Sequence, residues 1–332
     1  MQAYVLTRYG DASAMEFRDV PEPTADDGQV LIGVRAAGLN PIDIKVREGR
    51  LKMLTRLDLP LVAGSELAGV VEAVGAGVTR FAAGDRVFAR VDKTQLGACA
   101  PYAVVDETLV ARMPESLDFT DAAGLPLAGL TALQALRDVV GVAKGDKVFI
   151  SGGAGGVGTL ALQLAVWMGA EVATTASPRG EELVCSLGAG TVIDYHEQRF
   201  KDILGDYDGA LDLTGGQDLP DSFDILKRGA TTASVAGIPD PAAGRERGAG
   251  PVVTAALRAA SARIRRRARK KGVNYRFMFM RPSGQDLAVL ADLVTEGRLK
   301  TVTDRVFPFA RIPEAFTYLG QGHAKGKVVV QL

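Results

Sequence analysis

The sequence predicts an α/β protein in which a doubly wound parallel sheet is joined to a second, β-rich domain. Three observations predict this. At 332 residues the chain exceeds what one hydrophobic core usually fills. Its first hundred residues read as short strands cut by Pro, Gly and Asp, and from about residue 121 strands and helices alternate in order.

Taken in order, strands are expected at 3–7, 29–37, 69–74 and 86–90, each apolar or alternating. A helix over 122–139 and a strand over 147–151 open the alternating region. It continues as strand 171–176 and helix 180–187, strand 191–194 and helix 198–204, strand 209–213 and helix 221–226, then strand 231–236. Right-handed crossovers place such helices on both faces of a parallel sheet. Residues 239–251, rich in Gly, Pro and Ala, read as a loop. Strand 273–280, helix 285–296, strand 305–309, helix 313–321 and strand 326–331 complete the chain.

The uncharged stretch 148–170 imitates a membrane span, but the glycines between 152 and 158 divide it into a short strand and a helix. Thirty-nine basic residues balance 39 acidic ones, so no global field draws the chain to nucleic acid or an anionic membrane. Neither is expected as a partner. Two cysteines far apart, Cys99 and Cys185, argue against a disulfide scaffold, and the start shows no signal-peptide pattern; a cytoplasmic setting is expected. A local exception to the charge balance is the run 258–271, with Arg258, Arg263, Arg265, Arg266, Arg267, Arg269, Lys270 and Lys271. A solvated helix face is the commoner meaning of such a run; a patch for nucleic acid or an anionic surface is the alternative.

The strand ending at Ser151 runs into Gly152-Gly153-Ala154-Gly155-Gly156-Val157-Gly158 and then a helix. Gly153, Gly155 and Gly158 satisfy G-x-G-x-x-G: a tight turn, close backbone approach to a pyrophosphate, and close helix–strand packing. The helix N-terminus adds unpaired N–H groups and positive dipole charge for the phosphates. At the end of the next strand an NAD site usually carries an acid for the ribose 2′-hydroxyl. Here Thr174-Thr175-Ala176-Ser177-Pro178-Arg179 carries none. A 2′-phosphate would meet the Ser177 hydroxyl and the Arg179 guanidinium, so NADPH is the expected coenzyme.

These residues, with Ala37-Gly38-Leu39-Asn40-Pro41-Ile42-Asp43, Gly64-Ser65-Glu66-Leu67-Ala68-Gly69-Val70-Val71, Gly84-Asp85-Arg86-Val87, Gly129-Leu130-Thr131-Ala132, Val192-Ile193-Asp194-Tyr195 and Gly326-Lys327-Val328-Val329, cover nearly the whole chain. The chain resembles the medium-chain dehydrogenase/reductase superfamily in its zinc-free quinone oxidoreductase branch, which includes zeta-crystallin-like quinone reductases and alkenal/enone reductases. The resemblance implies a GroES-like catalytic domain from residues 1–120 and 282–332, a Rossmann NADP-binding domain over 121–281, and a homodimer, for which the apolar strand 273–280 also speaks. It implies that Asn40 lies near the nicotinamide ribose, Thr131 beneath the nicotinamide, and Tyr195 beside the 2′-phosphate. Leu213, Thr214, Ala236 and Gly237 would line the nucleotide at strand ends. Phe277, Phe279, Lys325 and Lys327 resemble segments that close over the nicotinamide end.

The alcohol dehydrogenases of the same superfamily would offer Cys at position 40 and His at 65, with a four-cysteine lobe further on. Those ligands are missing, and His196 and His323 read as surface residues, so no metal site is expected. The remaining chemistry is hydride transfer to a quinone, enone or enal, with Asn40, Lys45 and Ser65 as the polar candidates for orienting the substrate or stabilising its oxygen, and with Lys45 and solvent both open as the proton donor. Asp43 reads equally as a turn residue bonding its own backbone. Two other readings stay open: an NADPH-binding sensor that uses the 258–271 run to grip nucleic acid or a partner, and a structural subunit without turnover.

Overall fold

In the computed structural model residues 1–55, 57–92 and 94–332 are described. The chain divides into two units, Met1–Leu130 with Arg281–Leu332, and Thr131–Met280. The strands before the division are β1 (Gln2–Leu6), β2 (Met15–Asp19), β3 (Gln29–Leu39), β4 (Leu61–Val62), β5 (Glu66–Val74), β6 (Arg86–Arg90), β7 (Tyr102–Asp106) and β8 (Val110–Arg112), with helices α1 (Pro41–Arg47) and α2 (Phe119–Ala123), and the division falls within α3 (Pro126–Gln134). The second unit carries β9 (Lys147–Ile150), α4 (Gly156–Trp167), β10 (Glu171–Ala176), α5 (Pro178–Ser186), β11 (Thr191–Asp194), β12 (Tyr207–Asp212), α6 (Asp218–Ser222) and β13 (Leu226–Ser234). It ends with α7 (Pro241–Glu246), α8 (Pro251–Ala260), α9 (Ala262–Lys271) and β14 (Asn274–Phe277); α10 (Gly284–Thr295), β15 (Thr303–Pro308), α11 (Ile312–Gly320) and β16 (Lys327–Gln331) follow.

In the split unit, β3 is long and buried along most of its length, and it pairs antiparallel with β5, β7 and β16. The sheet runs β15-β16-β3-β5-β6-β8, and a smaller one runs β2-β1-β4. Their apolar faces meet in one core that includes Tyr4, Ile32, Leu67, Val87, Phe316 and Val330. The C-terminal segment is thus built into the N-terminal sheet.

The second unit holds a six-stranded sheet in the order β11-β10-β9-β12-β13-β14, parallel throughout. Counted from β9 this is 3-2-1-4-5-6, and the order reverses between β9 and β12, where such sheets take ligands beyond the strand ends. The architecture is α/β, a Rossmann sheet plus a GroES-like β domain.

Several expectations need correction. The helix read over 122–139 is broken at Gly124 and Leu125 by Pro126, which lacks the N–H that a continuous helix needs, and residues 135–140 form a π-helical turn ending at Gly141. Inside the loop read over 239–251 lies α7, started by Asp240, whose side chain accepts from the N–H groups of Ala242 and Ala243, and by Pro241 in the first turn. The helix read over 198–204 is a single 3-10 turn, and the one read over 221–226 is α6, which stops at Ser222 before β13 begins. The short strands β2, β4, β7 and β8 lie outside the strands that the sequence pattern predicts. The uncharged stretch 148–170 is β9, a turn and α4, and among the described residues no helix is long and apolar enough to cross a membrane.

Candidate active site

Two constellations stand out, one in each unit. In the second unit β9 feeds the glycine turn, and α4 begins at Gly155 with no side chain capping it. The three motif glycines differ in what requires them. A Cβ on Gly153 would lie 2.3 Å from Thr174 Oγ1, and one on Gly158 2.3 Å from the Gly152 carbonyl oxygen. Internal packing therefore demands both. At Gly155 the nearest atom would be 3.4 Å away, an ordinary contact. Nothing within the chain needs glycine there, while Ala154, Gly155, Gly156 and Val157 are partly exposed. A glycine without an internal reason, at an exposed and uncapped helix N-terminus, fits a phosphate approaching from outside.

Neighbouring strand ends are tied to this turn. Ser151 Oγ accepts from the Leu213 N–H at 2.9 Å and from Thr214 Oγ1 at 3.0 Å. The buried Asp212 accepts from Ser234 Oγ at 2.6 Å and from the Gly215 N–H at 2.8 Å; burial raises its pKa. Ser234 Oγ in turn accepts from the Gly237 N–H at 2.8 Å, which holds the segment with Ala236 beside β12. At the end of β10, Ser177 opens α5 without using its hydroxyl as a cap. A Cβ on Gly180 would lie 3.0 Å from Ala154 Cβ and 3.9 Å from Ser177 Oγ, so Ser177 sits next to the turn. Ala176 pairs with Asp194 in register, so Ser177 and Tyr195 each follow directly on neighbouring strand ends. Tyr195 is exposed, with its ring 4.3 Å from that of His196.

The second constellation lies in the split unit, where β3, α1, β5, β6 and β16 bring polar residues into the core. Asn40, Glu66 and Lys327 are all nearly inaccessible. Glu66 Oε1 accepts from Lys327 Nζ at 2.7 Å and Asn40 Nδ2 at 2.6 Å, and Glu66 Oε2 accepts from the Leu127 N–H at 2.6 Å in the first turn of α3. Lys327 also donates to Asn40 Oδ1 and, at 3.3 Å, to the Leu39 carbonyl. Gly38 gives this group room, since a Cβ there would lie 2.4 Å from Glu66 Oε1.

Beside it, Asp43 Oδ1 accepts from Ser65 Oγ at 2.7 Å and Oδ2 accepts from the Asn40 N–H at 2.8 Å. Burial raises the Asp43 carboxyl to about 6, against the hydrogen bonds and the nearby Arg90, which favour its charged form. Arg90 donates to the Ser65 carbonyl at 3.0 Å and to the Val91 carbonyl.

Both polar ends of Asn40 and the hydroxyl of Ser65 are thus committed inside the protein. Lys327 is neither solvated nor at the surface. Lys45 is half-buried on α1, and burial, with Arg50 nearby, lowers its pKa. Thr131 is buried in α3 and Lys325 half-buried ahead of β16. Phe277 packs into a core cluster with Leu219, Phe223 and Tyr275, while the half-buried Phe279 meets its ring edge-on at 4.9 Å. Sequence reasoning gave no role to Glu66 and Arg90; the available signal was an acid at each end, Glu66 and Glu72, of the apolar run from Leu67 to Val71.

The fold and these two constellations define a class. The chain belongs to the medium-chain dehydrogenase/reductase superfamily, in its quinone oxidoreductase and alkenal/one oxidoreductase branch, and is an NAD(P)H-dependent oxidoreductase of that type. Residues 26–115 match the family described as alcohol dehydrogenase GroES-like domain, and residues 187–330 the one described as zinc-binding dehydrogenase. The chain is 36% identical to the NADPH-dependent alkenal/one oxidoreductase, chloroplastic, of Arabidopsis thaliana, over 99% of this chain and 79% of that one. It is 34% identical to the NAD(P)H oxidoreductase RTN4IP1, mitochondrial, of Danio rerio, over 100% and 91%. Among solved structures, the quinone oxidoreductase from Coxiella burnetii superposes with a TM-score of 0.85 at 33% identity, covering 100% of this chain and 99% of that one.

The donor set does not fit the zinc in that second family description. A catalytic zinc takes three protein ligands. Among the described residues no group of three or more His, Cys, Asp or Glu is arranged to hold a metal ion. His196 and His323 are exposed, Cys185 is exposed and alone, and burial pushes the Cys99 thiol up, away from the thiolate that metals bind.

Proposed function

We propose that the chain is an NADPH-dependent reductase that, without zinc, reduces a quinone or an α,β-unsaturated carbonyl. The observation that carries this reading is Gly155, a glycine without an internal cause at the mouth of an uncapped helix, with Ser177 and Arg179 in place of an acid at the next strand end. The Arabidopsis relative's name, with NADPH and an alkenal/one, and the Coxiella protein's, with quinone, support the same chemistry.

In this reading the unit Thr131–Met280 is the NADP-binding domain and the split unit is the catalytic one. Residues 153–158 and the first turn of α4 hold the diphosphate. Ser177, Arg179 and Tyr195 hold the 2′-phosphate, and Thr131, Leu213, Thr214, Ala236, Gly237, Phe279 and Lys325 complete the coenzyme contacts. Bound NADPH supplies the hydride. Lys45 supplies the proton taken up at the substrate: its ammonium has no hydrogen-bonded partner among the described residues, and its lowered pKa makes the proton easier to release. Asn40 and Ser65 act as positioning residues, held by Glu66 with Lys327 and by Asp43. A homodimer and a cytoplasmic setting complete the proposal; size-exclusion chromatography with light scattering and cell fractionation test them.

The test of the function is an NADPH-consumption screen over quinones, enals and enones with product identification, run beside Arg179→Ala. Turnover with at least one class, and a variant that loses its preference for NADPH over NADH, are expected. Unchanged preference in Arg179→Ala removes the 2′-phosphate assignment, and no acceptor reduced by a chain that binds NADPH removes the enzyme reading.

A further inference from the structure

Neither constellation uses the basic run. Its side chains divide three ways. Arg267 and Lys271, one turn apart on α9, pair with Asp224 at 3.0 and 2.6 Å, and Arg267 also reaches Asp221 at 3.5 Å. Arg258, Arg263, Arg266 and Lys270 are exposed. Arg265 and Arg269, also one turn apart, join Arg276 of β14 in lining a cavity of about 480 Å³, a size suited to a small ligand.

The charge in this cavity is unbalanced. Its one acidic lining residue, Asp138, is already bound by Arg137 through two contacts of 2.6 and 3.0 Å. Arg265 donates to Ser261 Oγ and to the Arg258 carbonyl, both at 3.1 Å and both uncharged. Among the described residues neither Arg265 nor Arg269 has a carboxylate partner, and Arg276 meets only the exposed Glu246 at 3.4 Å. Like charges one helical turn apart are unfavourable by themselves, and a concave wall concentrates their field. Thr231 and Asn274 add neutral hydrogen-bonding groups.

The cavity is separate from the glycine turn. Val148, Gly209, Thr231 and Asn274 lie level in the sheet register, and Asn274 is the first residue of β14, whereas the glycine turn leaves β9 beyond Ile150. We propose that this cavity is a second binding site, for a small phosphate-type anion clasped by Arg265, Arg269 and Arg276. Planar guanidinium forks match the oxygens of such a group, carried either by a soluble phosphorylated molecule or by a phospholipid headgroup.

The experiment titrates the full-length chain with inorganic pyrophosphate by calorimetry, with NADP⁺ present in excess to cover the glycine turn, and measures NADP⁺ binding in the same preparation. A second arm sediments the chain with phosphatidylcholine vesicles with and without phosphatidic acid. Arg265→Gln/Arg269→Gln and Arg276→Gln are compared with the parent, circular dichroism checking that each is folded. Pyrophosphate binding that weakens about tenfold or more in the variants supports the proposal with a soluble source. Phosphatidic acid-dependent sedimentation lost in the same variants supports it with a lipid source. Binding under these conditions that the variants leave intact overturns the proposal, as does binding to neither probe. Failure of NADP⁺ to bind speaks against the coenzyme reading alone.

Discussion

Lys327 Nζ lies 2.7 Å from Glu66 Oε1, and the two charged side chains are shut away from solvent together. Desolvating both is costly, so their value lies in being paired. Lys327→Met, which strands the carboxylate, is expected to lower stability by about 3–5 kcal/mol. Glu66→Gln/Lys327→Met removes both charges and is expected to recover most of that loss. Urea denaturation of the two variants checks this; equal losses would show that the pairing itself contributes nothing.

The motif glycines make opposite predictions. Gly158→Ala places a Cβ against the Gly152 carbonyl and is expected to lower stability by about 1–3 kcal/mol. Gly155→Ala meets only an ordinary contact, so its thermal midpoint should stay close to the parent's, while NADPH affinity falls about tenfold. Calorimetric melting and coenzyme titration separate the two effects.

Asp43 makes stability depend on pH. Its carboxyl is raised to about 6 by burial, while the unfolded chain releases the same proton near 4. Between those values the folded state binds more protons than the unfolded one, so stability falls as pH rises from about 4 to 6 and then levels off. The full span is about 3 kcal/mol. Asp43→Asn should flatten this part of the profile, read from denaturation midpoints across the range.

Asp221 anchors the cations around α6. It accepts from Arg199 at 2.7 Å, Lys201 at 3.2 Å and Gln217 at 2.7 Å, with Arg267 at 3.5 Å. Arg199 and Arg267 are substantially solvated, which screens the attraction. Asp221→Asn is therefore expected to cost about 1–2 kcal/mol, a difference that shrinks as salt is added to the denaturation series.

How much of this was legible depended on the range of each signal. The glycine turn, the strands around it and the missing acid at Ser177 to Arg179 are local patterns, readable in a window of some thirty residues. Local signals also misled. Gly124 to Pro126 and Asp240-Pro241 are both punctuation, and only geometry shows that one breaks a helix and the other starts one. β8 has three residues and β2 buries only Met15 fully, so neither presents a period to detect. The partnership of Glu66 with Lys327 spans 261 positions and had no local trace at all. Asn40 and Ser65 were found by resemblance, but their confinement among carboxylates emerges only when β3, β5 and β16 assemble.

That assembly has a consequence for biosynthesis. During translation, Glu66 emerges long before β16, and its cation is the first residue of that strand. The N-terminal sheet waits with an unmatched acid and an open edge on β3, while every strand of the parallel sheet has already left the ribosome. Arrest of nascent chains ahead of residue 327 should therefore yield a protease-resistant parallel sheet and a digestible N-terminal half, a window in which chaperones have most to do.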